Sequence, residues 1–208
     1  MAYGVYQITA DFEDEICKYT GAPYCVAVDC CAHALFLSLK RVGVAGMTIS
    51  IPSRTFPSVP CEIIHAGAKV HFRPVDGKTI CGTYQLAPTC VWDSALRFTS
   101  NMYVPGTFTC ISFTGPRKTF KLSRGGAILT DDKDSYEWFK RARMSGRREG
   151  VSSNEAPDMI GWSYYMMPEL AARGLLMIPS LYDFDGTPLN IPDLELEYPD
   201  LSVSQAYK

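Results

Sequence analysis

The sequence predicts an α/β protein, a three-layer sandwich with a mostly parallel central sheet. Two observations carry this. The first half alternates short apolar runs of strand character with stretches of helical spacing, joined by short links. A strand–helix–strand–helix–strand order with such links sets successive strands in parallel and puts helices on the sheet faces. The chain's 208 residues suffice for one sizeable core, and its 47% hydrophobic and 20% charged residues are the balance of a globular protein.

"YCVAV" (24–28) reads as a buried strand. It runs into "CCAHALFLSLKRV", where Ala32, Leu35, Phe36, Leu39 and Val42 follow helical spacing. "MTISIPS" (47–53) is a second strand, "FPSVPCEIIHAG" a proline-broken helix, and "KVHF" (69–72) a third strand. Residues 74–90 are irregular, with Gly77, Gly82 and Pro88 and no clear helix. "TCVWDSA" (89–95) is a strand with an acid near its end, while "TFTCISF" (107–113) and "GAILTDD" (126–132) form a strand pair around a basic loop. Residues 131–146 are a helix with acids in the first turn and Lys140, Arg141 and Arg143 in the last, complementing its dipole. A polar loop covers 147–158 and "PELAARGLLMI" (168–178) returns to helix. The expected division is a core unit over 1–178 and an extended acidic tail over 179–208, with four prolines and six acids.

A net charge of -2 gives no global pull toward nucleic acid or an anionic membrane. Residues 117–148 hold ten of the twenty cations, but Lys140, Arg141 and Arg143 among them serve the helix dipole, and no basic–aromatic interleaving remains for nucleic acid. No apolar run approaches the ~20 residues that span a bilayer, and the first residues lack the pattern of a signal peptide. The expectation is a cytoplasmic protein off the membrane. All eight cysteines lie in the first 110 residues, mostly in apolar runs, without C-x-x-C or metal-ligand spacing. They read as small hydrophobes rather than as metal ligands or disulfides.

Three features suit an anionic, partly cationic aromatic cofactor: the strand-to-helix turn "VDCCAHAL", whose helix N-terminus suits a phosphate, Asp93 near a strand end, and the lysines of "TGPRKTFKLSRGGAIL". In order along the chain, "YTGAPYCVAVDCCAHALFLSLKRVGV", "ISIPSRTFPSVPCEIIHAGAKVHF", "VWDSA", "PGTFTCISF", "RKTFKLSRGGAILTDD" and "GWSYYMMPELAARGL" resemble the DegT/StrS group of pyridoxal-phosphate aminotransferases, which mostly act on nucleotide sugars. The resemblance runs from about Asp11 to Leu176. It implies the large domain of the aspartate-aminotransferase-like fold, pyridoxal 5'-phosphate as cofactor, and a homodimer with the active site at the interface.

The same resemblance implies roles. The cofactor lysine stands seven residues before the first glycine of Gly125-Gly126, which selects Lys118 over Lys121 as the Schiff-base residue. Asp93 keeps the pyridine nitrogen protonated, Phe56 stacks on the ring, the backbone N–H groups of Cys31 and Ala32 take the phosphate, and Ser112 is a side-chain donor to it. Ser163 and Tyr164 fall where the family reaches toward its partner's cofactor. Several positions depart from the pattern. Cys31-Ala32 replaces Gly-Thr, Leu96 replaces a polar residue, and Arg124 replaces an acid. The resemblance further implies a shortened member, with a strand-and-helix unit missing between Phe72 and Val91 and without the C-terminal small domain. The implied function is transamination of a sugar or nucleotide-sugar keto group with an amino acid as donor. The alternatives are a degenerate binding or regulatory protein of the same fold, and a pyridoxal-phosphate enzyme of another reaction type. Arg54, Arg97 and Arg124 are candidate anion contacts.

Overall fold

A computed structural model describes residue 4, residues 6–150, residue 154 and residues 156–207, so part of the expected 147–158 loop lies outside it. Helix α1 (Gln7–Thr20) leads into strand β1 (Tyr24–Val28), helix α2 (Cys31–Val42), β2 (Thr48–Pro52), α3 (Ser58–His65) and β3 (Lys69–Arg73). There follow β4 (Thr79–Gln85), β5 (Val91–Leu96), β6 (Phe108–Ser112), β7 (Gly126–Thr130), α4 (Lys133–Ala142), α5 (Pro168–Met177) and β8 (Glu195–Glu197).

The main sheet has the order β1-β7-β6-β5-β4-β8, and β2 and β3 form a second, two-stranded sheet. Period-2 alternation sorts the strands onto two cores. Val26, Val28, Cys110 and Ile128 face α2 and Phe139 of α4. Cys25, Ala27, Ile111, Ala127 and Leu129 face Phe12 and Ile16 of α1 and Ala171 of α5. The three layers expected from the sequence are therefore present, with every residue of β7 buried between them.

The sheet is mixed rather than mostly parallel. Parallel pairing holds for β5 with β6 and for β2 with β3, while β1/β7, β7/β6, β5/β4 and β4/β8 are antiparallel. For β4 and β5 the reason is connection length. β4 turns into β5 through residues 86–90, closed by the Leu86 N–H donating to Val91 O at 2.9 Å, and so short a link joins only antiparallel neighbours. β4 itself is the segment whose sequence looked irregular, because Gly82 sits in it at a register shift before Tyr84. The parallel step from β5 to β6 is made by a loop instead of a helix. It is pinned to the end of α1 by Asn101 N–H to Tyr19 O and Tyr103 N–H to Thr20 O, each 3.0 Å.

Residues 179–207, expected as an extended tail, run back across the sheet edge. β8 pairs with β4, Leu201 N–H donates to Ser53 O at 2.8 Å, and Tyr207 packs its ring against Phe72. No helix among the described residues is long and apolar enough to cross a membrane.

Gly126 explains half of the Gly-Gly pair. A Cβ there would lie 2.5 Å from the Cys31 nitrogen and 2.7 Å from the Cys30 carbonyl carbon, both backbone atoms that cannot step aside. Strand β7 thus abuts the start of α2 because this residue has no side chain. Gly126→Ala is expected to cost about 1–3 kcal/mol by overpacking, seen as a lower urea midpoint at unchanged slope.

Candidate active site

Lys118 lies in the loop between β6 and β7, and its Nζ is turned inward. It donates to the Ala95 carbonyl at 2.7 Å and to the Ser112 carbonyl, at the ends of β5 and β6. Burial disfavours the ammonium and lowers its pKa to about 8, against smaller opposing effects of Cys31 and Asp93. Lys121, four positions from the Gly-Gly pair, is exposed and donates to Pro116 O at 3.1 Å. The loop therefore separates one inward amine from one solvated amine. Labelling of Lys118 by an amine-acylating reagent, followed by peptide mass spectrometry, is expected to rise through a midpoint near pH 8, since the neutral amine is the nucleophile.

Asp93 is 4% exposed. Its Oδ1 accepts the Ala95 N–H at 2.8 Å and its Oδ2 accepts the Tyr84 hydroxyl at 2.6 Å. Burial raises its pKa, opposed by these hydrogen bonds and by Lys118. Tyr84 is bonded in turn to Thr55 Oγ1 at 2.5 Å. Ala95 thus joins the two ionisable groups, its N–H donating to the acid while its carbonyl accepts from the amine. Tyr84 and Thr55 were not singled out in the sequence. The signal for Thr55 was its place beside Phe56, and Tyr84 was hidden by the irregular look of β4.

Phe56 is 56% exposed and edge-on to Tyr198, with ring centroids 6.2 Å apart. It shares a narrow recess with Thr55, Tyr84, Asp93 and Tyr198. Cys31 and Ala32 open α2, where the first N–H groups have no intrahelical partner. Cys30 adds no side-chain cap. The Cys31 thiol points to the Cys110 carbonyl at 3.7 Å. Ser112 turns its hydroxyl onto its own loop, accepting the Thr114 N–H at 3.2 Å, while its carbonyl holds Lys118. Leu96, at the end of β5, is buried.

Arg124 has a definite partner. Its Nη2 donates to Asp29 Oδ2 at 3.0 Å, and Asp29 Oδ1 lies 2.5 Å from His33 Nδ1. The His33 ring stacks on Tyr164 with centroids 3.6 Å apart. Burial opposes the imidazolium, but the bonds to Asp29 and Cys30 outweigh it and raise the His33 pKa to about 9. Asp29 N–H also donates to Tyr164 O at 2.9 Å. Arg124, just before Gly-Gly, thus clasps the turn that leads into α2.

A cleft of about 140 Å³ opens at Lys118, walled by Ala95–Phe98, Thr119 and Phe120 on one side and by Ile191–Leu194 on the other. The recess beside Asp93 is only about 10 Å³. A buried amine that readily loses its proton, a buried carboxylate and a helix N-terminus are the donor set that pyridoxal phosphate needs. The kinds of side chain present suit the group, while the space beside Asp93 does not admit it with residues 191–198 in place. With residues 191–198 in place the open volume falls short of the ~300–1,000 Å³ usual for small-molecule sites.

Residues 3–91 match the DegT/DnrJ/EryC1/StrS aminotransferase family. Over 70 residues the chain is 40% identical to the spore coat polysaccharide biosynthesis protein SpsC of Bacillus subtilis (strain 168), spanning 33% of this chain and 18% of that protein. Among solved structures it is similar to S. venezuelae DesV in complex with a ketimine intermediate, with TM-score 0.64 and 17% identity over 84% of this chain and 57% of that one. It is similar also to the sugar aminotransferase CalS13 from Micromonospora echinospora, with TM-score 0.63 and 16% identity over 84% of this chain and 61% of that one. The family resemblance read from the sequence is borne out over residues 3–91, and the solved structures show the same fold over 84% of this chain. The chain spans less than two thirds of the length of these relatives.

Proposed function

We propose that this chain is a pyridoxal-phosphate-dependent aminotransferase acting on the keto group of a sugar or nucleotide sugar, with an amino acid as donor and Lys118 as the residue that carries the cofactor. The observation that supports it most is the shared contact at Ala95, which holds a buried amine and a buried acid at the end of one strand. When bound, the cofactor supplies an electron sink for charge developing at the substrate carbon. Lys118 Nζ, neutral in half the molecules near pH 8, is the base that takes and returns a proton there. Asp93, kept from water and fixed by Tyr84 and Ala95, holds a proton at the ring nitrogen. Phe56 offers a flat apolar face, and the N–H groups of Cys31 and Ala32 offer phosphate donors. Ser112 contributes through its carbonyl, by aiming Lys118. The reading carries with it a homodimer that completes the site and a reducing, cytoplasmic setting in which the eight cysteines stay thiols.

The test is spectroscopic. Protein purified with added pyridoxal phosphate is expected to be yellow, and borohydride followed by peptide mass spectrometry is expected to place the adduct on Lys118. Addition of glutamate or glutamine then bleaches the visible band as the amine form accumulates. A colourless protein that leaves added cofactor unmodified overturns the reading. One observation favours the second reading, a binding or regulatory protein of the same fold: residues 191–198 crowd the site. Cofactor retained on Lys118 with no amino acid able to bleach it would select that reading.

A further inference from the structure

Arg97 follows β5 directly and lines the same cleft as Lys118. Its guanidinium is gripped in a fork by one carboxylate. Nε donates to Asp193 Oδ1 at 2.9 Å and Nη2 to Asp193 Oδ2 at 2.7 Å. This two-pronged planar pairing is how arginine recognises a carboxylate group.

The seat is shaped for that carboxylate. Gly82 of β4 adopts φ +69°, and a Cβ there would lie 2.4 Å from Asp193 Oδ2 and 3.2 Å from Arg97 Nη2. A side chain on β4 at this point would close the space that the two oxygens use. Apolar surface from Leu96, Phe98 and Phe120 lies beside the fork. The acid itself comes from residues 191–194, which carry two backbone-donated hydrogen bonds of their own and are anchored by the chain on either side. Leu194 N–H donates to Leu96 O at 2.8 Å, Ile191 N–H donates to Thr99 Oγ1 at 2.7 Å, and β8 makes three pairings at the sheet edge. The side chains of the pair remain 36% and 25% exposed, so solvent screens the pair and its contribution to stability is small.

We infer that Arg97 is a carboxylate-binding residue of this site and that Asp193 occupies it in cis, so that a carboxylate-bearing ligand enters by displacing Asp193 and lifting residues 191–194 from the Lys118 cleft. The inference deepens the aminotransferase reading, on which it rests for the identity of the natural carboxylate. A tethered carboxylate competes at an effective concentration of the order of millimolar. Removing its charge therefore improves the affinity of a free competitor without any change to the arginine.

The test uses the full chain without added pyridoxal phosphate, with succinate as probe and inorganic phosphate as comparison, followed by calorimetry. Asp193→Asn is expected to bind succinate about two- to fivefold more tightly than the parent, Arg97→Met to lose that binding, and phosphate to bind more weakly than succinate. In the unmodified chain, saturating succinate is expected to speed hydrogen exchange at the Leu194 amide. Equal succinate affinity in Asp193→Asn and parent, phosphate binding as tightly as succinate, or unchanged exchange at Leu194 each overturns the inference. Because none of these readings needs the cofactor, a protein that fails to turn yellow would sink the proposed function and leave this result standing.

Discussion

Lys118→Ala is expected to abolish the borohydride-trappable adduct and to lower any transamination by roughly 10²–10⁴-fold from loss of proton transfer alone, while Lys121→Ala leaves both unchanged. The contrast follows from where the two amines sit. Lys118 Nζ is inside, spent on the Ala95 and Ser112 carbonyls. Lys121 reaches only the Pro116 carbonyl at the surface. The same variant has a signature in stability. Lys118 has a pKa of about 8 in the folded protein against 10.5 for the free side chain. Between those values the unfolded chain binds more protons than the folded one, so stability rises with pH across that window. Below pH 8 both states are charged and burial exacts its full cost; above 10.5 both are neutral and the cost is gone. Lys118→Ala should remove this slope between pH 8 and 10.5. Denaturant titrations at several pH values check it, and a slope unchanged by the substitution would mean the amine is not buried.

What could be read from the sequence follows what is local. The spacing of Lys118 from Gly125-Gly126 was legible because Gly126 meets a local demand, the approach of β7 to the Cys31 nitrogen. Helix α4 was legible for the same reason. Asp132 caps it by accepting the Asp134 N–H at 3.1 Å, and its cations fall in the last turn. Strand β4 was not, since Gly82 is a poor strand residue whose reason lies in Asp193, more than a hundred positions away. Tyr84 was lost with it, and so was the bond that fixes Asp93. The purpose of Arg124 was likewise hidden, because Asp29 is remote in sequence and meets it only once β1 and β7 pair. The sheet read as parallel because its first strands alternate with helices. Chain order does not reveal that β1 lies against β7 while β2 and β3 pair apart.

Arg143 is the residue whose replacement should cost the fold most. It closes α4, its side chain is fully buried, and it was read from the sequence as one more cation in a helix's last turn. Its Nη1 donates to Glu13 of α1 and to the Ala27 carbonyl of β1, and its Nε donates to Glu149 Oε1 at 3.0 Å. Lys140 completes the cluster with Glu13 Oε2 at 3.0 Å and Glu149 Oε2 at 2.7 Å, while Ala27 N–H donates to Glu13 Oε1 at 2.7 Å. Two acids and two cations thus balance inside the protein and tie a helix from each face to the edge strand. Burial alone would lower the guanidinium's pKa, but Glu13 and Glu149 outweigh it and hold the pKa above the ordinary value. Arg143→Met leaves the buried Glu13 with Lys140 as its one cation beside the Ala27 N–H, and takes a donor from the Ala27 carbonyl. The expected loss is about 3–5 kcal/mol, the scale for breaking a buried pair from one side. Adding Glu13→Gln should cost less than the two single losses combined, because the buried acid that has lost one of its two cations is then neutral. Glu149 gives the cluster an acid limit. Burial would raise its pKa, yet Arg143 and Lys140 hold it below the ordinary 4.5, so its contribution is complete above that value and is lost as the pH falls through the folded pKa. Chemical denaturation of the parent, both single variants and the double variant tests the cycle, and additive losses would show that Glu13 and Arg143 stabilise the fold independently.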